Sequence, residues 1–178
     1  MMKQTKLALL ASVCLLAPLG AVADGVAPGA YVGGGYLIGD FDDNDFSKSA
    51  DLDGLFARGG YQLNENMAIE GRLGSGINDD TVRGVKLELK EFYGAYFKVG
   101  MPTSIGLYPY VIAGATHGKV EAKFHGYHES DSQTDISYGI GGDFHFARNW
   151  SAGLEYMKYF DKDGVDFSGF ALSANYKF

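Results

Sequence analysis

Gly169-Phe170-Ala171-Leu172-Ser173-Ala174-Asn175-Tyr176-Lys177-Phe178 closes the sequence with a two-residue period. In an extended chain, Phe170, Leu172, Ala174, Tyr176 and Phe178 share one face, and Gly169, Ala171, Ser173, Asn175 and Lys177 share the other. A helix would space its apolar residues three and four apart, so this stretch reads as a strand with one apolar and one small-or-polar face. The same period recurs upstream. Ile136, Tyr138, Ile140, Phe144 and Phe146 alternate with Asp135, Ser137, Gly139, Gly141, Asp143 and His145. Met67, Ile69 and Leu73 alternate with Glu70, Arg72 and Gly74; Leu55, Ala57 and Tyr61 alternate with Phe56, Arg58 and Gly60.

Eight segments of this kind are predicted, at residues 30–40, 52–63, 67–77, 85–100, 105–118, 133–146, 150–160 and 166–178. Their connections alternate in character. Asn64-Glu65-Asn66, Met101-Pro102-Thr103-Ser104 and Arg148-Asn149 read as tight turns, whereas Asp40–Asp51, Asn78–Gly84, Gly118–Thr134 and Asp161–Gly164 read as longer polar loops. Short turns at one end and long loops at the other suit antiparallel strands joined up and down in sequence.

The 178 residues contain 25 aromatics and 26 glycines but only 4 prolines, a balance suited to many strands and turns. A net charge of -7 opposes nucleic-acid binding, since phosphate would be repelled. Residues 1–23 stand apart: Lys3 and Lys6 precede an apolar run from Leu7 to Leu19, and Ala21-Val22-Ala23 ends it. That layout is a secretory signal with cleavage before Asp24, and its apolar run is shorter than the about 20 residues a spanning helix needs. A lipidated Cys14 is not expected, because Val13 precedes it where a small residue is required. Residues 24–178 are then the mature domain, which carries no cysteine and so no disulfide. Eight strands over it give roughly 19 residues per strand and connection.

Which face meets water decides between two barrels. A soluble barrel turns its apolar face inward; a membrane barrel turns it outward to lipid and keeps polar or glycine positions for the lumen. The apolar faces here end in aromatics suited to an interface, Tyr61, Trp150, Tyr176 and Phe178. The opposite faces mix charge with glycine, which fits a narrow lumen filled by side chains. The expected fold class is all-β: an eight-stranded antiparallel up-and-down transmembrane β-barrel in the outer membrane of a Gram-negative cell.

The ending Ala171-Leu172-Ser173-Ala174-Asn175-Tyr176-Lys177-Phe178 resembles the C-terminal signature of bacterial outer-membrane barrels. Gly60-Tyr61-Gln62-Leu63-Asn64-Glu65-Asn66, Pro109-Tyr110-Val111-Ile112-Ala113-Gly114 and Asn149-Trp150-Ser151-Ala152-Gly153-Leu154-Glu155-Tyr156 are similar to segments of small porin-family barrels, the relatives of the OmpA transmembrane domain and of the OmpX and Ail proteins. The resemblance covers the mature chain and implies recognition of the terminal Phe178 by the barrel-assembly machinery. It fixes fold better than activity. No periplasmic domain is expected after Phe178, so the peptidoglycan binding of full-length OmpA is not carried over.

Parity places Arg58, Glu70, Arg72, Lys98, Asp143, Glu155 and Lys177 inside the barrel. Enclosed charges must pair, so Arg58 and Arg72 are expected to meet Glu70, Glu155 or Asp143, as a static plug or as a gate whose partners swap to open a small pore. The first long loop is the most acidic segment, with Asp40, Asp42, Asp43, Asp45, Asp51 and Asp53 against Lys48. Its spacing partly matches a calcium loop, but Asp45 stands where such a loop needs Gly and Asp51 where it needs the bidentate Glu. A solvated acidic surface loop is favoured over that, with divalent bridging to lipopolysaccharide phosphates as a looser alternative. His117, His125 and His128, with Glu121, Glu129 and Asp131 nearby, lack a recurring ligand spacing, so an ordinary polar loop is favoured over zinc or copper. His128-x-Ser130 resembles the His-x-Ser pair of outer-membrane lipid A deacylases, without a match for the acid partner. No catalytic, cofactor or metal residue is assigned. The favoured role is a monomeric, non-enzymatic structural or surface-interaction protein whose partners are outer-membrane lipid, lipopolysaccharide and a surface ligand met by the loops. A narrow gated pore is the alternative, and a lipid A esterase a distant third.

Overall fold

The computed structural model describes residues 26–43, 50–77, 79–82, 85–124, 127–162 and 165–178; Asp45, His125 and the proposed signal segment fall outside them. The elements are β1 (Gly29–Asp43), β2 (Ala50–Gln62), β3 (Met67–Gly76), β4 (Asp79–Val82), β5 (Val85–Gly100), β6 (Leu107–Phe124), β7 (Tyr127–Ala147), β8 (Trp150–Lys162) and β9 (Val165–Lys177). All neighbours pair antiparallel in chain order, β1 pairs with β9, and β3 pairs with β5, so the sheet closes on itself. β3 and β4 both lie along β5, facing Phe92–Val99 and Val85–Glu88 respectively. They are two pieces of one stave, and the nine strands make an eight-stranded barrel.

Closure removes the unpaired sheet edge that an open sheet would expose. The turns at one end are built by local polar groups. Asn64 Oδ1 accepts from the backbone N–H of Asn66 and of Met67, both at 2.9 Å, and the Leu63 N–H bonds the Met67 carbonyl at 2.8 Å. Thr103 Oγ1 donates to the Leu107 carbonyl at 2.7 Å, and Gly106 takes the left-handed conformation (φ +77°) that returns the chain into β6. Asn149 Nδ2 ties the β7–β8 turn to the Lys177 carbonyl at 2.6 Å.

At the other end the strands run further than the alternation foretold. The segment Gly118–Thr134, read from sequence as a polar loop, is strand on both sides of residues 125–126, with pairs from Gly118↔Gln133 to Phe124↔Tyr127. Asp161 and Lys162 are likewise paired with β9, and the first acidic loop contracts because Asp40, Asp42 and Asp43 extend β1 while Asp51 and Asp53 extend β2. The reason is local: polar residues in a paired strand satisfy their backbone by the ladder as well as apolar ones do, so polarity alone did not mark a loop.

The outward face is apolar. Leu73, Val111, Ile136, Ile140, Leu154 and Phe170 are each more than half exposed. The inward face holds the aromatic and charged residues, with Leu37, Phe56, Phe92, Tyr96, Tyr108, Tyr110, Ile112, Met157, Tyr159 and Phe167 packed inside. Inward glycines make room for these rings. A Cβ at Gly74 would come within 2.7 Å of Phe92, and one at Gly141 within 2.7 Å of Tyr110, so both rings lie flat against bare backbone.

Candidate functional site

The inward positions of β2, β3, β5, β7 and β8 converge on one cluster of charge. Arg72 is its clamp: Nη1 and Nη2 reach Glu155 Oε1 and Oε2 at 2.5 and 2.8 Å, and Nε reaches Glu70 Oε1 at 2.6 Å. Its guanidinium also lies over the Tyr96 ring, 4.9 Å from the centroid. Lys98 Nζ sits 3.0 Å from Asp143 Oδ2 and 3.6 Å from Glu70 Oε2, with the Tyr110 ring 3.9 Å below it. Arg58 completes the set, 3.4 Å from Asp143 and 3.8 Å from Glu70, and donates to Asn175 Oδ1 at 2.6 Å and Ser173 Oγ at 2.7 Å.

Neutral hydroxyls fill the remaining acceptors. Tyr31 OH donates to Glu70 Oε2 at 2.7 Å, and Tyr110 OH donates to Glu155 Oε2 at 2.9 Å. Above the charges, Tyr96, Thr116 and Ser137 link hydroxyl to hydroxyl at 2.6 Å each, and Ser137 Oγ donates to the Tyr159 carbonyl at 2.9 Å. Among the described residues no buried side-chain nitrogen or oxygen lacks a partner. Six of the seven charges placed inside by parity therefore meet in one network of three cations and three anions. The seventh, Lys177, is not bonded into it: together with Lys98 and Asp143 it lines a small cavity of about 40 Å³ at the turn end, and it donates to the Ala27 carbonyl. Sequence reading put Ser173 and Asn175 on the polar face without joining them to the charges, and it missed Tyr31 and Tyr110. The same parity would have found them, had uncharged polar residues been sorted with the charged ones.

Among the described residues the other predicted groups do not assemble into a site. Asp40 and Asp51 are register partners on β1 and β2, and Asp42 and Asp43 extend β1 beyond them. Asp53 is buried on β2. Among the described residues no set of three metal-ligating side chains is grouped to hold an ion. His117 faces outward on β6, where its ring stacks on Tyr93 with centroids 4.8 Å apart and Nδ1 lies 2.8 Å from Thr134 Oγ1. His128 and Ser130 lie in β7, in register with Lys123 and Glu121, so the pair belongs to a hairpin strand and not to the loop tip expected from sequence.

A closed barrel with its apolar face outward and its charges inward inverts the pattern of a water-soluble barrel. The outer membrane protein β-barrel domain profile matches residues 7–178. The chain belongs to that family. Among solved structures, Ail of Yersinia pestis, the attachment invasion locus protein, superposes with a TM-score of 0.69 at 20% identity, covering 86% of this chain and all of that one. The same protein has been crystallised with the heparin analogue sucrose octasulfate. Neisserial surface protein A gives 0.64 at 20% identity over 84% of this chain and 97% of its own. The N-terminal barrel domain of Pseudomonas aeruginosa OprF gives 0.55 at 19% identity over 84% and 99%. No curated protein sequence matches the chain. At these identities the structural likeness establishes the fold, and the family places this barrel in the outer membrane.

In that setting the outward residues are the lipid face. Trp150 and Tyr176 meet edge to face at 5.1 Å, and Tyr176 and Phe178 do so at 5.3 Å, which gathers three aromatics where the turn end crosses the interface.

Proposed function

We propose that this protein is a monomeric, non-enzymatic outer-membrane barrel that works at the cell surface through strands projecting beyond the bilayer. Short turns face the periplasm and the strand extensions face outward, as in other barrels of this kind. The signal peptide is removed before Asp24, and Phe178 is presented to the assembly machinery. The lumen is a plug: its three cations and three anions are mutually satisfied, so solutes find neither an open path nor an unpaired charge to follow.

One observation carries the surface role. β7 pairs with β8 only from Tyr138↔Lys158 to Ala147↔Trp150, while it continues alongside β6 to Tyr127. β8 breaks register between Lys158 and Phe160 on its β9 side and ends its ladder with β7 at Lys158. Residues 127–134 of β7 thus continue along β6 without a β8 partner in the ladder, a backbone edge on the β8 side. An exposed edge recruits extended polypeptide by main-chain hydrogen bonding, with side chains adding selectivity. The sulfated ligand seen with Ail is a poor match for the β1–β2 side of this rim, where Asp40, Asp42, Asp43 and Asp51 would repel it.

The test compares the folded barrel with a variant cut back to Lys119 and Ser132, which are register partners, and rejoined through Asn-Gly. Both are screened on one array of overlapping extended peptides. Peptides held only by the uncut barrel support the edge as the contact; identical profiles would remove it. In planar bilayers the wild type is expected to be electrically silent, and reproducible discrete openings would replace this reading with the gated pore.

A further inference from the structure

We propose that the lumen holds one small monovalent anion, a halide such as chloride, in the cavity at its turn end. That cavity measures about 40 Å³, with Lys98 and Asp143 on the side of the charge network and Lys177 and Val26 toward the turns. By the same measure a water takes about 10–15 Å³, so the space suits one halide with a water or two. The network closes it toward the loop end, which makes the site a dead end beneath the plug.

The first reason is a surplus of donors in its wall. Asn175 Oδ1 accepts from Arg58, which fixes the amide so that Nδ2 donates to Ser151 Oγ at 3.2 Å. Gln62 Nε2 donates to the Asn64 carbonyl at 2.7 Å and to Tyr108 OH at 3.3 Å. An amide nitrogen cannot accept, so both hydroxyls keep their own hydrogen to give, and among the described residues neither gives it elsewhere. Lys98 adds to the surplus. Its buried ammonium has three hydrogens, of which Asp143 Oδ2 takes one at 3.0 Å. The Tyr110 ring lies 3.9 Å from Nζ, and Glu70 Oε2 at 3.6 Å is beyond hydrogen-bond reach. Every polar atom here has a partner; what remains unspent is hydrogen.

Charge is the second reason. The six-residue network is neutral, and Lys177 is an inward cation in addition to it. It is half-buried, donates to the Ala27 carbonyl, and has no carboxylate within ion-pair distance among the described residues. Asp143 is the one carboxylate in the cavity wall, and its two oxygens already meet Lys98 at 3.0 Å and Arg58 at 3.4 Å. His145 spends its Nδ1–H on the Gly106 carbonyl, 3.3 Å away. Two ammoniums against one carboxylate leave the wall with an excess of one positive charge. A single halide balances it and accepts the spare hydrogens, whereas a divalent anion would overshoot and lose more hydration.

The experiment uses the refolded mature barrel in nonionic micelles, with sodium chloride exchanged for sodium gluconate at constant ionic strength, and reads the chlorine NMR line width. Saturable broadening that bromide reverses and sulfate does not is expected for the wild type. Lys177→Gln is expected to weaken chloride at least about tenfold, the worth of a hydrogen bond from a charged donor, and Ser151→Ala about threefold, the worth of a neutral one. Arg148→Gln removes an exposed cation from the same turn, outside the cavity wall, and is expected to change nothing. Ser151→Ala carries the test if Lys177→Gln does not give the heat-modifiable folded band. Broadening that never saturates, or that is the same in wild type and both cavity variants, would mean that the cavity holds water only and would overturn the proposal. An equal loss in Arg148→Gln, or full displacement by sulfate, would reduce the effect to surface cations and overturn it too. Neither peptide nor bilayer is present, so the outcome is independent of the β7 edge.

Discussion

Arg72→Met is the most informative perturbation of the lumen. Arg72 supplies both hydrogen bonds that hold the Glu155 carboxylate from the cationic side, and the truncation leaves Glu155 with the Tyr110 hydroxyl alone. Glu70 is better protected, since it keeps Tyr31 at 2.7 Å, Lys98 at 3.6 Å and Arg58 at 3.8 Å. The damage is thus concentrated on one enclosed carboxylate with no remaining cation in contact. Breaking a buried pair from one side costs about 3–5 kcal/mol, most of it from the stranded charge. Removing both charges together, as Arg72→Met/Glu155→Met, strands nothing at Glu155 and is expected to return the barrel to within about 1–2 kcal/mol of wild type, because apolar replacement of a whole pair is often close to neutral. Urea titration in lipid vesicles measures this, followed by heat-modifiable gel mobility and by fluorescence of Trp150, the only tryptophan. If the double variant is as unstable as Arg72→Met, or worse, the stranded-charge explanation is refuted and the loss must come from packing of the guanidinium against Tyr96 and Phe56.

Other consequences are read in the same titration. Gly141→Ala places a methyl within 2.7 Å of the Tyr110 ring and 2.9 Å of the Leu154 carbonyl, so a loss of about 1–3 kcal/mol is expected, as for other overpacked sites. An unchanged midpoint would show that the ring has room to lift. Ser137→Ala removes the donor to the Tyr159 carbonyl and one link of the Tyr96–Thr116 chain, with an expected cost of about 1–3 kcal/mol. Faster hydrogen exchange around Tyr159 should accompany it; a cost without local opening would place the effect elsewhere.

Much of the fold was legible because a strand period of two has only two phases, and the phase is visible wherever large apolar residues alternate with charge or glycine. Met67, Ile69 and Leu73 face out while Glu70 and Arg72 face in, and one such segment fixes the sense of the barrel wall. The partners within the lumen were only partly legible. Parity sends Arg72 inward but says nothing of height, and Arg72 and Glu155 meet across the barrel through strands that are not neighbours in the sheet. Their meeting depends on strand stagger, which is set by registers such as Arg58↔Arg72 and Gly141↔Glu155 and not by composition. The strand ends were the least legible. Residues 117–125 read as an extended projection of the preceding strand, but the return strand over 127–134 is not distinguished from a polar loop until Lys119↔Ser132 and its neighbours are seen to pair.

The arrangement of charge links the plug to the surface role. Inside the described barrel wall, Arg58, Arg72 and Lys98 balance Glu70, Asp143 and Glu155, so this cluster contributes nothing to the net charge of the molecule. The whole -7 is therefore carried by residues outside that cluster. Part of it lies on the strand extensions, where Asp40 faces Asp51 and Asp42, Asp161 and Asp166 follow one another across three strands. Directly opposed like charges destabilise a sheet, so these rows are held in place by the barrel beneath them. A rigid wall around a neutral charge cluster is what allows these acidic rows and the β7 edge to project above it. Loosening the wall should then release the rim first. In Arg72→Met the β1–β2 extension is expected to exchange its amide hydrogens earlier in urea than the turn end does, and loss of protection at both ends together would mean that rim and wall unfold as one unit.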